Sequence, residues 1–310
     1  MGKPDDSGVR SHIVSILTFW VLLALYAAAR VLQVFPGRVS MLVVAALHVL
    51  PPALFALIHG AIFYRLRGIV FFIAVCLAVG NILENVGVLT GFPFGRYYFT
   101  DLMGPKLFFV PVLLGLAYVG MAYLSWTLAR MIVVNGRSPL AGTRVVVVPL
   151  VAAIIMVAWD VAMDPIWSTV LRSWIWLKGG SYFGVPLSNF AGWYLTVYVI
   201  YQIFALYLRR WAVNARQLPP GYWHLPIVFY AVSAAGNLVL AISHNAPSIV
   251  SDAAGVQWKV SQIVGACLVV STFVMGAFVV LAWTRLSDPR TKEANQSPEV
   301  RTGMAGEELV

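Results

Sequence analysis

The chain has 310 residues, 60% of them hydrophobic and only 11% charged. A soluble domain carries about 25% charged residues, so this chain cannot clothe a water-facing surface and is expected to be an integral membrane protein. The formal net charge of +9 is therefore no nucleic-acid signal, because the lysines and arginines fall between apolar runs, where anionic headgroups attract them.

Taken in order, residues 1–11 read as a disordered polar tail, 12–284 as a single all-α transmembrane helical domain, and 285–310, rich in Pro, Gly, Lys and Glu, as a second tail. A span needs roughly 20 apolar residues. Eight stretches qualify: about 12–32, 39–64, 69–89, 107–131, 144–163, 187–208, 225–244 and 259–283. The first lacks a small-residue cleavage site and reads as a span rather than a signal peptide. The second contains Pro51-Pro52, which predicts a kink there. The third is interrupted by Asn81, Glu84 and Asn85. The connection 164–186 is too apolar for a solvated loop, and a short interfacial or re-entrant segment is expected at 164–180. Cys76 and Cys267 each stand alone in an apolar run and read as small buried hydrophobes. With eight spans, fourteen of the 21 lysines and arginines fall on the side of both termini. That asymmetry places the termini in the cytoplasm of a cell-membrane protein. It also gathers Glu84, Asp160, Asp164, Asn189, Asn237 and His244 toward the outer leaflet.

These polar groups are the candidates for chemistry. Asp160 and Asp164 share one helix face with side chains about 6 Å apart. Two carboxylates that close in a poor solvent do not both ionise, so the pair is expected to hold a proton and to act as a general acid. Asp164 before Pro165 also fits a helix-opening cap, a reading that stays open beside the catalytic one. Glu84 lies inside a span, where exposure to hydrocarbon costs about 2.5–3.5 kcal/mol, so it must face protein or a cavity. Either a structural hydrogen bond to Asn81, Asn85 or an arginine, or a catalytic role, satisfies that demand. Trp159, Phe190 and Trp193 are expected to wall a pocket, since ring faces attract cations, whereas Trp174 and Trp176 are expected in an interfacial aromatic belt. Acid-bearing helices followed by aromatic loops occur twice, a faint internal echo: Glu84 before Gly91-Phe-Pro-Phe-Gly95, Asp160 before Gly180-Ser-Tyr182-Phe183-Gly184. The five histidines show no metal-ligand spacing, no metal site is expected, and only His244 is kept as a pocket residue. No Gly-rich phosphate loop or GxSxG occurs.

Several blocks together resemble the integral-membrane carotenoid biosynthesis family: Glu84-Asn85, Gly91-Phe-Pro-Phe-Gly95-Arg96-Tyr97, Asp160-x-x-x-Asp164-Pro165, Trp174-x-Trp176 and Tyr182-Phe183-Gly184-Val185-Pro186-x-x-Asn189-Phe190-x-Gly192-Trp193. Characterised members of that family are CruF-type carotenoid 1,2-hydratases, bisanhydrobacterioruberin hydratase among them. The resemblance covers about residues 40–285. It implies addition of water to the terminal double bond of an acyclic carotenoid, lycopene-like or bisanhydrobacterioruberin-like, with no organic cofactor. The partners are then that substrate, water and membrane lipid, with no nucleic acid, and the oligomeric state, a homo-oligomer included, stays open. Chemistry, rather than the family, suggests the roles. Asp160 or Asp164 protonates the alkene while the other tunes it, Trp159, Trp193 and Phe190 shelter the tertiary cation, and Glu84 orients water and accepts its proton, assisted by Asn85 or Asn189. Tyr97, Tyr182, Phe183 and His244 complete the expected substrate site. Replacing Asp160 by Asn is then expected to end hydration. A cyclase or isomerase would use the same acids but exclude water, and a transporter or pigment-binding protein would leave the pigment unchanged.

Overall fold

In a computed structural model of the chain, which describes residues 6–35, 37–136, 139–211, 218, 220–243 and 248–287, helices supply almost all the regular structure. They are α1 (Asp6–Leu32), α2 (Met41–Thr90), α3 (Val112–Val134), α4 (Arg144–Pro165), α5 (Leu187–Arg210), α6 (Pro220–Ser243), α7 (Val260–Val269) and α8 (Gly276–Ser287). Five-residue and six-residue π-helical stretches extend α4 through Ile166–Val170 and join α7 to α8 through Val270–Met275. Among the described residues six helices are long and apolar enough to cross a membrane, and the chain is an all-α polytopic membrane bundle. Helix α1 begins at Asp6, inside the stretch expected as a tail, while residues 1–5 and 288–310 lie outside the described residues.

Helix α2 is 50 residues long, about 75 Å at 1.5 Å per residue and more than twice a bilayer core. It does not run straight. Arg65 has φ 58° and ψ 165°, a conformation that non-glycine residues rarely adopt. A Cβ built on Gly60 would lie 2.4 Å from Ile69 Cδ1, although positions nine apart on a straight helix are separated by about 13 Å. The chain therefore folds back at Arg65 into two legs, which correspond to the expected stretches 39–64 and 69–89. The non-helical backbone sits at Arg65 rather than at Pro51-Pro52, where the chain stays helical.

Helix α3 is the centre. Tyr118 through Met131 are buried without interruption, and a helix that is apolar all round belongs inside a bundle. Lipid tails are as apolar as leucine, so close packing rather than hydrophobic exclusion holds the helices together. Gly120 shows how close: a Cβ there would lie 2.7 Å from Pro52 Cβ and 3.0 Å from the Ala53 nitrogen. Buried polar groups are satisfied across helices, as with the Trp126 indole donating to Tyr64 Oη at 2.9 Å and Tyr201 to the Ala122 carbonyl at 3.1 Å. The lipid-facing surface is studded with exposed Leu, Val, Ile and Phe side chains. Cys76 and Cys267 are unpaired and buried.

Among the described residues three short antiparallel strand pairs occupy connections between the helices. Strand β1 (Tyr97–Phe99) pairs with β4 (Trp174–Trp176), β2 (Lys106–Leu107) with β3 (Val110–Pro111), and β5 (Ile249–Ser251) with β6 (Gln257–Lys259). The first pair joins the two aromatic loops that follow the acid-bearing helices. Its register is Tyr97↔Trp176, Tyr98↔Ile175, Phe99↔Trp174. Side chains alternate along a strand, so Tyr97, Phe99, Trp174 and Trp176 all turn inward while Tyr98 is exposed. The apolar segment expected at 164–180 thus resolves into the π-helical end of α4 followed by an inward-facing strand.

Candidate active site

Glu84 lies in the last two turns of α2. Gly91, at φ 89°, ends that helix, and the reversing chain carries Tyr97 back over the carboxylate. The Tyr97 hydroxyl donates to Glu84 Oε2 and, at 3.3 Å, to the Glu84 carbonyl. From α3, the Tyr118 hydroxyl donates to Glu84 Oε1 at 2.6 Å. Burial first, and then the Glu84 charge, hold the Tyr97 phenol well above its ordinary range, so it serves as a neutral donor. Gly87 makes this approach feasible, since a Cβ there would lie 2.7 Å from Phe94 Cδ2 and 3.1 Å from Tyr97 Oη.

Asp160 and Asp164 sit one turn apart on α4, each 1% exposed. Asn189, in the first turn of α5, donates through Nδ2 to Asp160 Oδ2 at 3.1 Å and to Asp164 Oδ2 at 2.6 Å. The other oxygen of Asp164 receives the Trp174 indole N–H at 2.9 Å and, more weakly, that of Trp176 at 3.4 Å. Asp160 Oδ1 is buried with no partner among the described residues. The Asp164-Pro165 pair does not open a new helix. The helix passes through Pro165 into the π-helical turn, where Ser168 Oγ bonds the Asp164 carbonyl at 2.8 Å, and the carboxylate is left for the indoles and the amide.

The two acid groups face one another. Glu84, Asp164, Asn189, Tyr97, Trp176 and Trp193 line a common cavity with about 20 Å³ of free volume, enough for one water, which needs roughly 10–15 Å³ on the same measure. Trp193 stacks on Tyr118 with ring centroids 4.4 Å apart and meets Trp159 edge-on at 6.2 Å. Leu114, Met163 and Trp174 border this cavity and also a second one of about 50 Å³, largely apolar, which Trp159 and Trp167 help to enclose.

Of the residues singled out from the sequence, Glu84, Asp160, Asp164, Asn189, Tyr97 and Trp193 come together, and Trp159 lines the adjoining apolar cavity. Asn85 does not join them. One step on from Glu84, it points off that face, donates to the Asn81 carbonyl at 2.7 Å and accepts the Phe109 amide at 3.1 Å, bracing the β2–β3 hairpin. Tyr182, Phe183 and Phe190 form an edge-to-face cluster of their own beside Trp258 and line neither of these two cavities. His244 lies outside the described residues. Trp174 and Trp176 are a correction: they are not an interfacial aromatic belt but buried donors to Asp164. Tyr118 is not among the residues expected from the sequence; its hydroxyl is one of two tyrosine hydroxyls on α3, the other being that of Tyr123.

Gly180 supports the site from outside. A Cβ there would lie 2.1 Å from the Val185 carbonyl carbon and 2.2 Å from the Pro186 nitrogen. Backbone cannot yield as a side-chain tip can, and Pro186 precedes the helix that carries Asn189. Gly180→Ala is expected to destabilise the protein by about 1–3 kcal/mol, and thermal unfolding in detergent would show it as a lowered Tm; an unchanged Tm would mean the turn repacks freely.

No curated protein and no solved structure matches the chain. Residues 37–258, which hold all three acids, Asn189 and the paired aromatic loops, match the family model described as carotenoid biosynthesis protein, so the chain belongs to the carotenoid biosynthesis protein family and takes its place in making carotenoids.

Proposed function

We propose that the protein adds water across the terminal trisubstituted double bond of an acyclic carotenoid, giving a tertiary alcohol. The observation that carries this reading is the small cavity in which Asp164 and Glu84, with room for one water, meet beside an apolar chamber. Hydration of such an alkene needs a proton donor, a shelter for the cation and one positioned water, and each has a counterpart.

Asp160 and Asp164 share an amide donor and together hold one proton. Asp164, the member that lines the cavity, delivers it to the alkene carbon whose protonation leaves the more substituted, tertiary cation. The faces of Trp193, Trp174 and Trp176 attract that cation without reacting with it. Water held by Glu84 attacks, and Glu84 takes the proton that the new alcohol releases. Tyr97 and Tyr118 fix Glu84 from both sides, which is the orientation such a step demands. Both carboxyl groups border the same cavity, so a water molecule can return the proton from Glu84 to Asp164 and reset the site. With both termini cytoplasmic, as the basic residues favour, this chemistry lies toward the outer leaflet.

The test is the product. Protein in lipid vesicles supplied with lycopene is expected to yield a pigment heavier by one water, and heavy-oxygen water is expected to label it. An isomer of unchanged mass would make the protein a cyclase or isomerase, and unaltered bound pigment would make it a carrier.

A further inference from the structure

The cavity that holds Glu84 and Asp164 has a second neighbour. Beyond Trp176 lies a polar pocket of about 20 Å³, lined by Ser168, Thr169, Arg172 and, from the β5–β6 hairpin, Ser251 and Asp252. Arg172, Ser251 and Ala253 at its rim are exposed, whereas Ser168, Thr169 and Trp176 at its floor are buried. The pocket is therefore a funnel that starts at the surface and ends on an indole. The same indole lines the cavity on its far side, where its N–H reaches Asp164.

The fold keeps this funnel open. Gly184, at φ 85°, borders it, and a Cβ there would lie 2.9 Å from both Thr169 Oγ1 and Asp252 Cβ. The Asp252 carboxylate is fixed by the Ala254 and Val256 amides, at 2.9 and 3.0 Å, and by the Trp258 indole at 3.0 Å. Ser168 and Thr169 sit in the π-helical turn, a departure from α geometry that is frequent at functional sites. The neighbours of the cavity thus differ in kind: Trp174 is its common wall with the apolar chamber, Trp176 its common wall with the polar funnel. Apolar cavities stay dry, so a chamber that suits a polyene is a poor conduit for water, while the funnel offers room for one water and polar partners to hold it. Trp176 is also the looser wall, its N–H lying 3.4 Å from Asp164 Oδ1 against 2.9 Å for Trp174.

We propose that water and polyene reach the carboxyl groups by separate doors, and that water enters through this funnel, past Trp176. Trp176 is then a positioning residue: it admits water from the surface and keeps the polar funnel and the apolar chamber from merging. The inference rests on the water-adding reading only for the use made of that water.

The experiment uses the full-length protein in nanodiscs, with Cys76 and Cys267 replaced by Ala and one cysteine introduced at the rim by Ser251→Cys. A bulky anionic methanethiosulfonate plugs the funnel, and dithiothreitol removes the plug. Nuclear magnetic resonance of protein carrying isotope-labelled tryptophan follows exchange of the Trp176 indole N–H in heavy water. The plug is expected to slow that exchange by about tenfold or more, because the N–H then waits on local opening, and removal of the plug to restore it. Ala253→Cys, also on the rim, is expected to behave alike, and Arg38→Cys, exposed in another connection, to leave exchange unchanged when labelled. Exchange that neither plug slows, or that the label at Arg38→Cys slows equally, would overturn the route. Water addition is assayed on the same samples, where the plug is expected to lower kcat about tenfold with KM for the polyene unchanged; an undiminished kcat would overturn the route as well. If the plugs slow exchange but no sample adds water, plugged or open, the route stands and the water-adding reading fails.

Discussion

Asp164→Asn is expected to abolish water addition, a loss of about 10²–10⁴-fold, the usual worth of a general acid, while the protein accumulates in membranes at its normal level. The substitution keeps the shape and leaves an oxygen to accept the Trp174 indole, but it removes the proton that the alkene requires. Asp160→Asn is expected to fail as well, since the shared proton belongs to two carboxyl groups bound to one amide. It is the milder change structurally: the carbonyl oxygen still accepts from Asn189, and the new NH₂ enters a position that now holds an unpartnered atom. Turnover of carotenoid by membranes carrying each variant, normalised to protein amount, decides the matter. Wild-type turnover in Asp164→Asn would end the acid role of the pair.

Glu84→Gln separates the two halves of the reaction. The donor pair is intact, so the alkene is still protonated, but no base receives the proton from attacking water. Hydration is expected to fall by a similar 10²–10⁴-fold. In heavy water the cation then loses a proton from the carbon that had just gained a deuteron, and deuterium appears at the vinylic carbon of recovered substrate. Asp164→Asn shows neither product nor exchange. Mass spectrometry of the recovered pigment reads both outcomes at once. Exchange in Asp164→Asn, or full hydration in Glu84→Gln, would reverse the assigned roles.

The acids were legible because each is an anomaly in its surroundings. A carboxylate inside an apolar run has to be explained, and Asn189 and Trp193 stand in a short, aromatic-rich block that stands out. The reversal at Arg65 was legible, since the apolar stretches 39–64 and 69–89 part at that point; the kink expected at Pro51-Pro52 did not appear, because the helix continues through both prolines. Trp174 and Trp176 depart from the interfacial belt expected of them for a physical reason. Their inward direction is set by pairing with a strand some 75 to 80 residues earlier, and nothing local distinguishes an inward tryptophan from one in an interfacial belt. Tyr118 is hidden among its neighbours, since Tyr123 and Trp126 stand in the same apolar run and nothing local singles out one ring from the others. Tyr182, Phe183 and Phe190 err the other way: nearness in sequence to Asn189 suggested nearness in space, but the turns at Gly179 and Gly184 carry them toward Trp258 instead. Asn85 shows the same lesson on a helix, where adjacent positions point about 100° apart.

The ribbon of β1 and β4 has three paired positions, and a two-stranded ribbon of that size does not stand alone in water. Yet Tyr97 on one strand holds Glu84, and Trp174 on the other holds Asp164. Both halves of the proposed proton circuit are thus wired through the same slender clasp, while the helices that carry the carboxylates are fastened by a far larger interior. Were the clasp alone to come undone, as a local opening, the proposed reaction would stop inside a bundle that is still whole.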